Sequence, residues 1–257
     1  MKILILGAGK MGAFFADLLS FEHEVAVLEK DPKRMRFIYN AIRMQSPDEI
    51  PSFAPELVIN CVTLSYTIEA FKMTLPFLKP NCIISDVASV KNNLKEFYST
   101  CGFPYVSTHP MFGPTFANLA NLAQENTIII SEGDHLGKIF FKDLYSKLKL
   151  NIFEYTFEDH DKVVAYSLGI PFASTLVFAA TMIHQDAPGT TFKRHMNTAR
   201  GLLSEDDYLL TEILFNPRTP RQIDRIQEKL STLQEIIAAK DTVKMKEFLA
   251  DVREKIR

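Results

Sequence analysis

Apolar positions fall into two patterns along the 257-residue chain, and the pattern changes once. In the first part, short apolar runs alternate with helical stretches. Residues 2–6 (KILIL), 24–28 (EVAVL), 56–62 (ELVINCV), 82–87 (CIISDV), 105–108, 127–131 and 151–155 read as strands: all are short, and all but 105–108 and 151–155 are rich in Val, Ile and Leu. Helical patterns fill most intervals, among them a stretch ending near residue 19 and another over 32–44. Such alternation predicts βαβ units and a mostly parallel sheet covered on both faces. After about residue 156 nothing reads as a strand. Residues 163–183, 191–215 and 220 onwards are expected to be helical. In the last of these, Ile223, Ile226, Leu230, Leu233 and Ile237, then Met245, Phe248, Leu249, Val252 and Ile256, recur at three- and four-residue steps. These amphipathic stripes are expected to pack into a core.

One run calls for a membrane check. Residues 163–183 carry no charge over 21 positions, enough to span a bilayer. Polar and helix-breaking residues interrupt it (Ser167, Gly169, Pro171, Ser174, Thr175, Thr181), and its flanks are acidic rather than basic. A helix buried on all sides, at a subunit interface, is the expected reading. Lys10 and Asp17 interrupt the apolar start of the chain and no small-residue cleavage site follows, so no targeting segment is read. Twenty-nine basic against 31 acidic residues give a net charge of −2, which excludes nucleic acid or an anionic membrane as the main partner. The basic segment 30–36 (KDPKRMR) reads as a solvated helix start. Cys61, Cys82 and Cys101 are odd in number and widely spaced, with no zinc or disulfide pattern; they fit a reducing cytoplasm, and no metal is expected.

The chemistry begins at Gly7-Ala8-Gly9-Lys10-Met11-Gly12, directly after the first strand and opening a helix. Gly7 suits a tight turn, Gly9 a close approach to a pyrophosphate, and Gly12 close packing of helix on strand. The free N–H groups of the helix start then face the phosphates. This context predicts a Rossmann-like doubly wound dinucleotide-binding domain over residues 1–156, followed by an all-helical domain over 157–257. Glu29 ends the second strand, seventeen positions after Gly12, where a carboxylate accepts from the adenosine ribose hydroxyls and repels a 2′-phosphate. NAD is therefore expected, with NADP left open by Lys30, Lys33 and Arg34. Asp31 either shares this task or caps the next helix ahead of Pro32.

Substrate is expected beyond the carboxyl ends of the strands, where two segments lie: residues 86–91 (DVASVK) and 108–114 (THPMFGP). His109, in a loop after a buried strand, suits a group that takes a hydroxyl proton near neutral pH, or else makes a structural hydrogen bond within the loop. Ser89 orients that histidine or the substrate hydroxyl, or caps a helix; Lys91 is alternatively a solvated first-turn lysine.

Together GAGKMG, DVASVKN and THPMFGP resemble the prephenate dehydrogenase family, which includes the arogenate dehydrogenases; HPMFGP is the most specific element. The resemblance spans essentially the whole chain. It implies NAD- or NADP-dependent oxidative decarboxylation of prephenate to 4-hydroxyphenylpyruvate, or of arogenate to tyrosine, in tyrosine synthesis. It also implies a helical domain that binds substrate and forms a homodimer. His109 corresponds to the family's catalytic histidine, Ser89 to its active-site serine and Lys91 to the neighbouring lysine. Arg200, Ser204 and Asn216 keep the family's spacing of four and sixteen residues, which makes Arg200 the expected ligand of a substrate carboxylate. Arg194 and His195 lie close enough to share that task. The chain departs from the family at a Ser-His-Leu-Pro-His run, where it reads Ser167-Leu168-Gly169-Ile170-Pro171-Phe172: Gly169 and Phe172 replace both histidines. His160, just before Asp161, reads as a structural helix-start residue. Two other classes remain: another two-domain dehydrogenase or imine reductase, which depends on a Lys or Asp in its helical half, and a non-catalytic dinucleotide-sensing module.

Overall fold

The computed structural model describes residues 1–36, 38–91, 93–112 and 121–256. The chain divides into two compact units, Met1–Asp161 and Lys162–Arg257. The first is built on one eight-stranded sheet in the order β3-β2-β1-β4-β5-β6-β7-β8. Its strands are β1 (Lys2–Leu6), β2 (Glu24–Leu28), β3 (Ile42–Met44), β4 (Leu57–Asn60), β5 (Ile83–Asp86), β6 (Tyr105–Pro110), β7 (Asn126–Ile130) and β8 (Asn151–Tyr155). The first six are parallel; β7 runs antiparallel to β6, and β8 parallel to β7. Strand order reverses between β1 and β4, which opens a crevice beyond their carboxyl ends. The fold is thus Rossmann-like, with helices α1 (Lys10–Leu19), α2 (Pro32–Met35), α3 (Ile50–Phe53), α4 (Thr67–Thr74), α5 (Leu94–Thr100), α6 (His135–Lys147) and α7 (Phe157–Ser167), the last running past Asp161.

Both faces of the sheet are covered, which is why β1 and β4 are apolar at successive positions rather than at alternate ones. Ile3, Ile5, Val27 and Ile59 meet Phe15 of α1 and Phe141 of α6 on one face. Leu4, Leu6, Val58 and Ile84 meet Phe71 of α4 and Tyr98 of α5 on the other.

Residues 32–44 are not one helix. The helix stops at Met35, and residues 42–44 instead extend β2 as the edge strand β3, paired Ala26 with Ile42 and Leu28 with Met44. Hydrogen bonds from the Arg43 guanidinium to the Ile38 carbonyl hold the intervening turn. Pairing the open edge of β2 outweighs a local helical periodicity that, among the described residues before β3, buries Met35 and Ile38 alone.

The second unit is helical: α8 (Gly169–Thr181), α9 (Thr190–Leu202), α10 (Asp207–Leu214), α11 (Thr219–Ala239) and α12 (Thr242–Lys255). Residues 191–215 divide at Asp206, whose side chain caps α10 by accepting from Tyr208 and Leu209 N–H. α8 packs on α9, α10 and α11, yet within one chain only its Gly169 is buried. The stripes of α11 and α12 likewise stay largely open, with Leu230, Ile237 and Ile256 more than half exposed. Phe157–Thr181 is, among the described residues, long and apolar enough to cross a membrane by length and composition. Leu168 divides it, and the apolar half, α8, is about 20 Å long against a hydrocarbon core of about 30 Å.

Candidate active site

The glycine turn sits at the reversal of strand order. Gly7 has φ of 93°, a left-handed conformation that favours glycine, and a Cβ there would lie 3.1 Å from the Val62 side chain. A Cβ on Gly12 would lie 1.9 Å from the Gly7 carbonyl oxygen, so α1 rests directly on the turn. A Cβ on Gly9 would meet nothing within 4 Å. Gly9 also begins α1 without a side-chain cap. Exposed Lys10 and half-buried Met11 form the first turn of that helix. The Ala8 N–H donates to Glu29 Oε2 at 2.8 Å and the Asp31 N–H to Oε1 at 2.9 Å, so the Glu29 carboxylate bridges the turn and the end of β2. A cleft of about 430 Å³ opens here, lined by Gly7, Gly9, Glu29, Arg34, Val62 and Thr63 among others. Asp31 takes the capping role, accepting from Lys33 N–H at 2.9 Å. The nearby cations face acids: Lys30 lies 3.6 Å from Glu69, and Arg34 4.0 Å from Asp31. An uncapped helix start beside a fixed carboxylate is a donor and acceptor set that fits a dinucleotide.

At the carboxyl end of β5 lies a buried polar cluster. Lys91 Nζ donates to Asp86 Oδ1 at 2.6 Å and to the Thr108 carbonyl at 2.7 Å, while Tyr98 Oη donates to Asp86 Oδ2 at 2.7 Å. Both the Lys91 and Asp86 side chains are fully buried. Burial pulls the Lys91 ammonium below its ordinary pKa, even with Asp86 beside it. A solvated first-turn lysine does not match this placement. Lys91 ties the segment after β5 to the backbone next to His109. Breaking so buried a pair costs about 3–5 kcal/mol.

His109 is not in a loop. It lies within β6, opposite Ile128 of β7, at the same sheet edge as Gly7 and Asp86. Its carbonyl accepts from Thr127 Oγ1, and Thr108 Oγ1 bonds both the Asp86 carbonyl and Tyr145 Oη. The ring is 4% exposed. Its Nδ1 lies 2.9 Å from Nε2 of His160, whose Nδ1 lies 3.1 Å from Asp161 Oδ1. Burial, then the His160 ring and the Lys91 ammonium, hold His109 well below the ordinary histidine pKa. The sequence alone gave no sign of this histidine pair, because its members stand 51 positions apart and nothing local links them. Phe112 continues the segment, buried with its ring centroid 6.1 Å from that of Phe14 on α1. Ser89 is half-buried in the loop after β5. Asn92, Gly113 and Pro114 lie outside the described residues.

In the helical unit, Arg200 is exposed on α9 and lines a cavity of about 590 Å³ with His184, Lys193 and Asn197. Ser204 and Asn216 have local roles: Ser204 Oγ donates to the Gly201 carbonyl, and buried Asn216 Oδ1 accepts from Arg218 N–H at the corner before α11. Arg194 and His195 are exposed on the same helix, with His195 Nδ1 3.1 Å from the Thr191 carbonyl. The missing histidine at Gly169 has a packing reason. A Cβ there would lie 3.2 Å from Thr219 Oγ1, where α8 meets the start of α11. Gly169→His is expected to destabilise the chain by about 1–3 kcal/mol through overpacking, read as a lower urea midpoint. An unchanged midpoint would mean that α11 yields freely.

A doubly wound sheet with a glycine turn and a fixed carboxylate at its switch point defines a dinucleotide-binding protein. The sequence profile of the prephenate dehydrogenase nucleotide-binding domain matches residues 22–151, and the chain belongs to that family. A probable arogenate/prephenate dehydrogenase of Methanocaldococcus jannaschii is 21% identical over 201 residues, 72% of this chain and 44% of that protein. The chain spans less than half the length of the curated relatives it matches. Among solved structures, the prephenate dehydrogenase of A. aeolicus, in complex with hydroxyphenyl propionate and NAD+, superposes with a TM-score of 0.83 at 21% identity, covering 99% of this chain and 96% of that one. Synechocystis arogenate dehydrogenase gives 0.76 at 20% identity, covering 99% and 98%. At these identities the two structures establish the fold.

Proposed function

We propose that the chain catalyses NAD-dependent oxidative decarboxylation of prephenate, arogenate or both, in tyrosine synthesis. The observation that carries this reading is the buried, proton-poor His109 ring at the same sheet edge as the glycine turn. When bound, the nicotinamide supplies the acceptor for the hydrogen and electron pair that leave the ring alcohol carbon. His109 accepts the hydroxyl proton; burial keeps its base form present across the neutral range. Asp86, Lys91 and Thr108 hold the backbone on which that ring sits. Ser89, in the half-buried loop after β5, orients the hydroxyl. Arg200, exposed in a cavity that Lys193 and Asp186 also line, offers a planar fork to a substrate carboxylate. Loss of carbon dioxide restores ring aromaticity, so the protein has to position the ring and neutralise charge rather than drive that step.

Glu29 supports NAD over NADP, because its carboxylate is fixed beside the glycine turn at the end of β2 while Lys30 and Arg34 face Glu69 and Asp31. Glu29→Ala is expected to weaken NAD binding by about tenfold or more, the worth of a charged hydrogen bond, and to narrow the preference over NADP. Equal loss for both cofactors in a titration would count against that role. The open apolar faces of α8 and α11 support a homodimer through the helical unit. Three free thiols and a near-neutral charge support a cytoplasmic enzyme acting on a small molecule, with no membrane or nucleic-acid partner.

The test is turnover: NAD or NADP with prephenate or arogenate, following reduced nicotinamide. Turnover with either substrate supports the reading, and the faster one names the side chain recognised. Dinucleotide binding without turnover of either would instead support a sensor, or a reductase of another substrate.

A further inference from the structure

The Asp161–His160–His109 line has a direction. A carboxylate only accepts hydrogen bonds, so the 3.1 Å contact to Asp161 Oδ1 places a proton on His160 Nδ1. A neutral His160 then presents a lone pair at Nε2. The 2.9 Å contact between that atom and His109 Nδ1 requires the proton to lie on His109 Nδ1. His109 is left with its lone pair on Nε2. We infer that His160, oriented by Asp161, is a positioning residue that locks His109 in the tautomer whose Nε2 is the base.

The inference rests on the dehydrogenase reading of His109 but adds a residue and a task. His160 is fully buried, and its ring centroid lies 5.2 Å from that of His109. A buried polar ring used only for packing would be replaceable by an apolar one of similar volume. This one sits between a base and a carboxylate whose side chain is 32% exposed. The charged and titratable groups facing the pair are Lys91 and Asp86, from β5 and the segment after it, and Asp161 on α7. The Lys91 ammonium disfavours a proton on either ring, while the two carboxylates favour one on His160. When His109 takes a proton at Nε2, its Nδ1–H bond to His160 becomes charge-assisted and shortens the energetic distance to the imidazolium. This is the service a buried aspartate gives a catalytic histidine elsewhere, here passed through a second imidazole.

Two measurements test it on the full chain. Long-range 1H–15N spectra of 15N-labelled wild-type protein at neutral pH are expected to show His109 with a protonated Nδ1 and an unprotonated Nε2, assigned by loss of its signals in His109→Asn. A proton on Nε2 overturns the inference. The second measurement compares His160→Gln, whose amide oxygen falls near the lost Nε2 and still accepts from His109, with His160→Leu, which cannot. Leu is expected to lower kcat about 10- to 100-fold with little change in KM and to leave both His109 tautomers populated. Gln is expected to recover most of kcat and the single tautomer. Equal losses in both variants, or none in Leu, would reduce His160 to a packing residue. Absence of wild-type turnover would refute the dehydrogenase reading alone, because the spectra decide the tautomer without substrate.

Discussion

His109→Asn is expected to lower turnover of the accepted substrate by about 100- to 10,000-fold, the contribution of a positioned general base. Asparagine is the informative replacement. Its amide nitrogen falls near the position of Nδ1, so the donor to His160 Nε2 is kept, while the atom opposite, the base, is removed. The backbone at position 109 is held independently of the ring, by strand pairing to Ile128 and by the hydroxyl of Thr127. The variant should therefore fold, unfold within a few degrees of wild type, and bind dinucleotide with unchanged affinity. Steady-state rates with NAD, beside a dinucleotide titration, read both halves. Residual turnover within tenfold of wild type would mean that some other group takes the proton.

Gly12→Ala is expected to weaken dinucleotide binding and destabilise the first unit together. Its Cβ would stand 1.9 Å from the Gly7 carbonyl oxygen, a backbone atom in a turn that Gly7 N–H to Leu28 carbonyl pairing also fixes. The relief open to it is to push α1 off β1, which lifts its own Phe15 and Leu19 out of the core they share with Ile3, Ile5 and Val27 of the sheet. Such overpacking costs about 1–3 kcal/mol or more. Affinity should fall at least about tenfold, since the helix start moves with it. Gly9→Ala separates the two effects. Gly9 has φ of −71°, open to any residue, and its Cβ would meet no protein atom within 4 Å. That variant should keep wild-type stability and lose affinity, because its methyl points into the cleft. Urea midpoints and dinucleotide titrations of the pair distinguish a packing glycine from a contact glycine. Unchanged stability in Gly12→Ala would show that α1 is loosely seated.

Local signals carried most of the first unit. The limits of β1 and β2 coincide with apolar runs because those strands are short, dense in branched residues and sharply bounded. The glycine turn was legible because each glycine answers a separate steric demand. Long-range terms were not legible. Residues 42–44 became a strand because the edge of β2 was available, a fact about the sheet rather than the segment. Lys91 looked solvated until Asp86 and the Thr108 carbonyl closed around it. His160 looked like an ordinary helix-start residue; only its meeting with β6 pairs it to His109. The stripes of the last two helices have helical period, and period alone does not say what covers them.

The bridge made by Glu29 has a kinetic consequence. Both oxygens of its carboxylate already accept backbone N–H bonds, so the side chain is held in one rotamer before any ligand arrives. A nucleotide therefore meets a finished surface, and little ordering entropy is lost on docking. On the role proposed for Glu29, an extra phosphate on the ribose would be rejected at the first encounter, as a slower association, rather than by a later rearrangement of the complex.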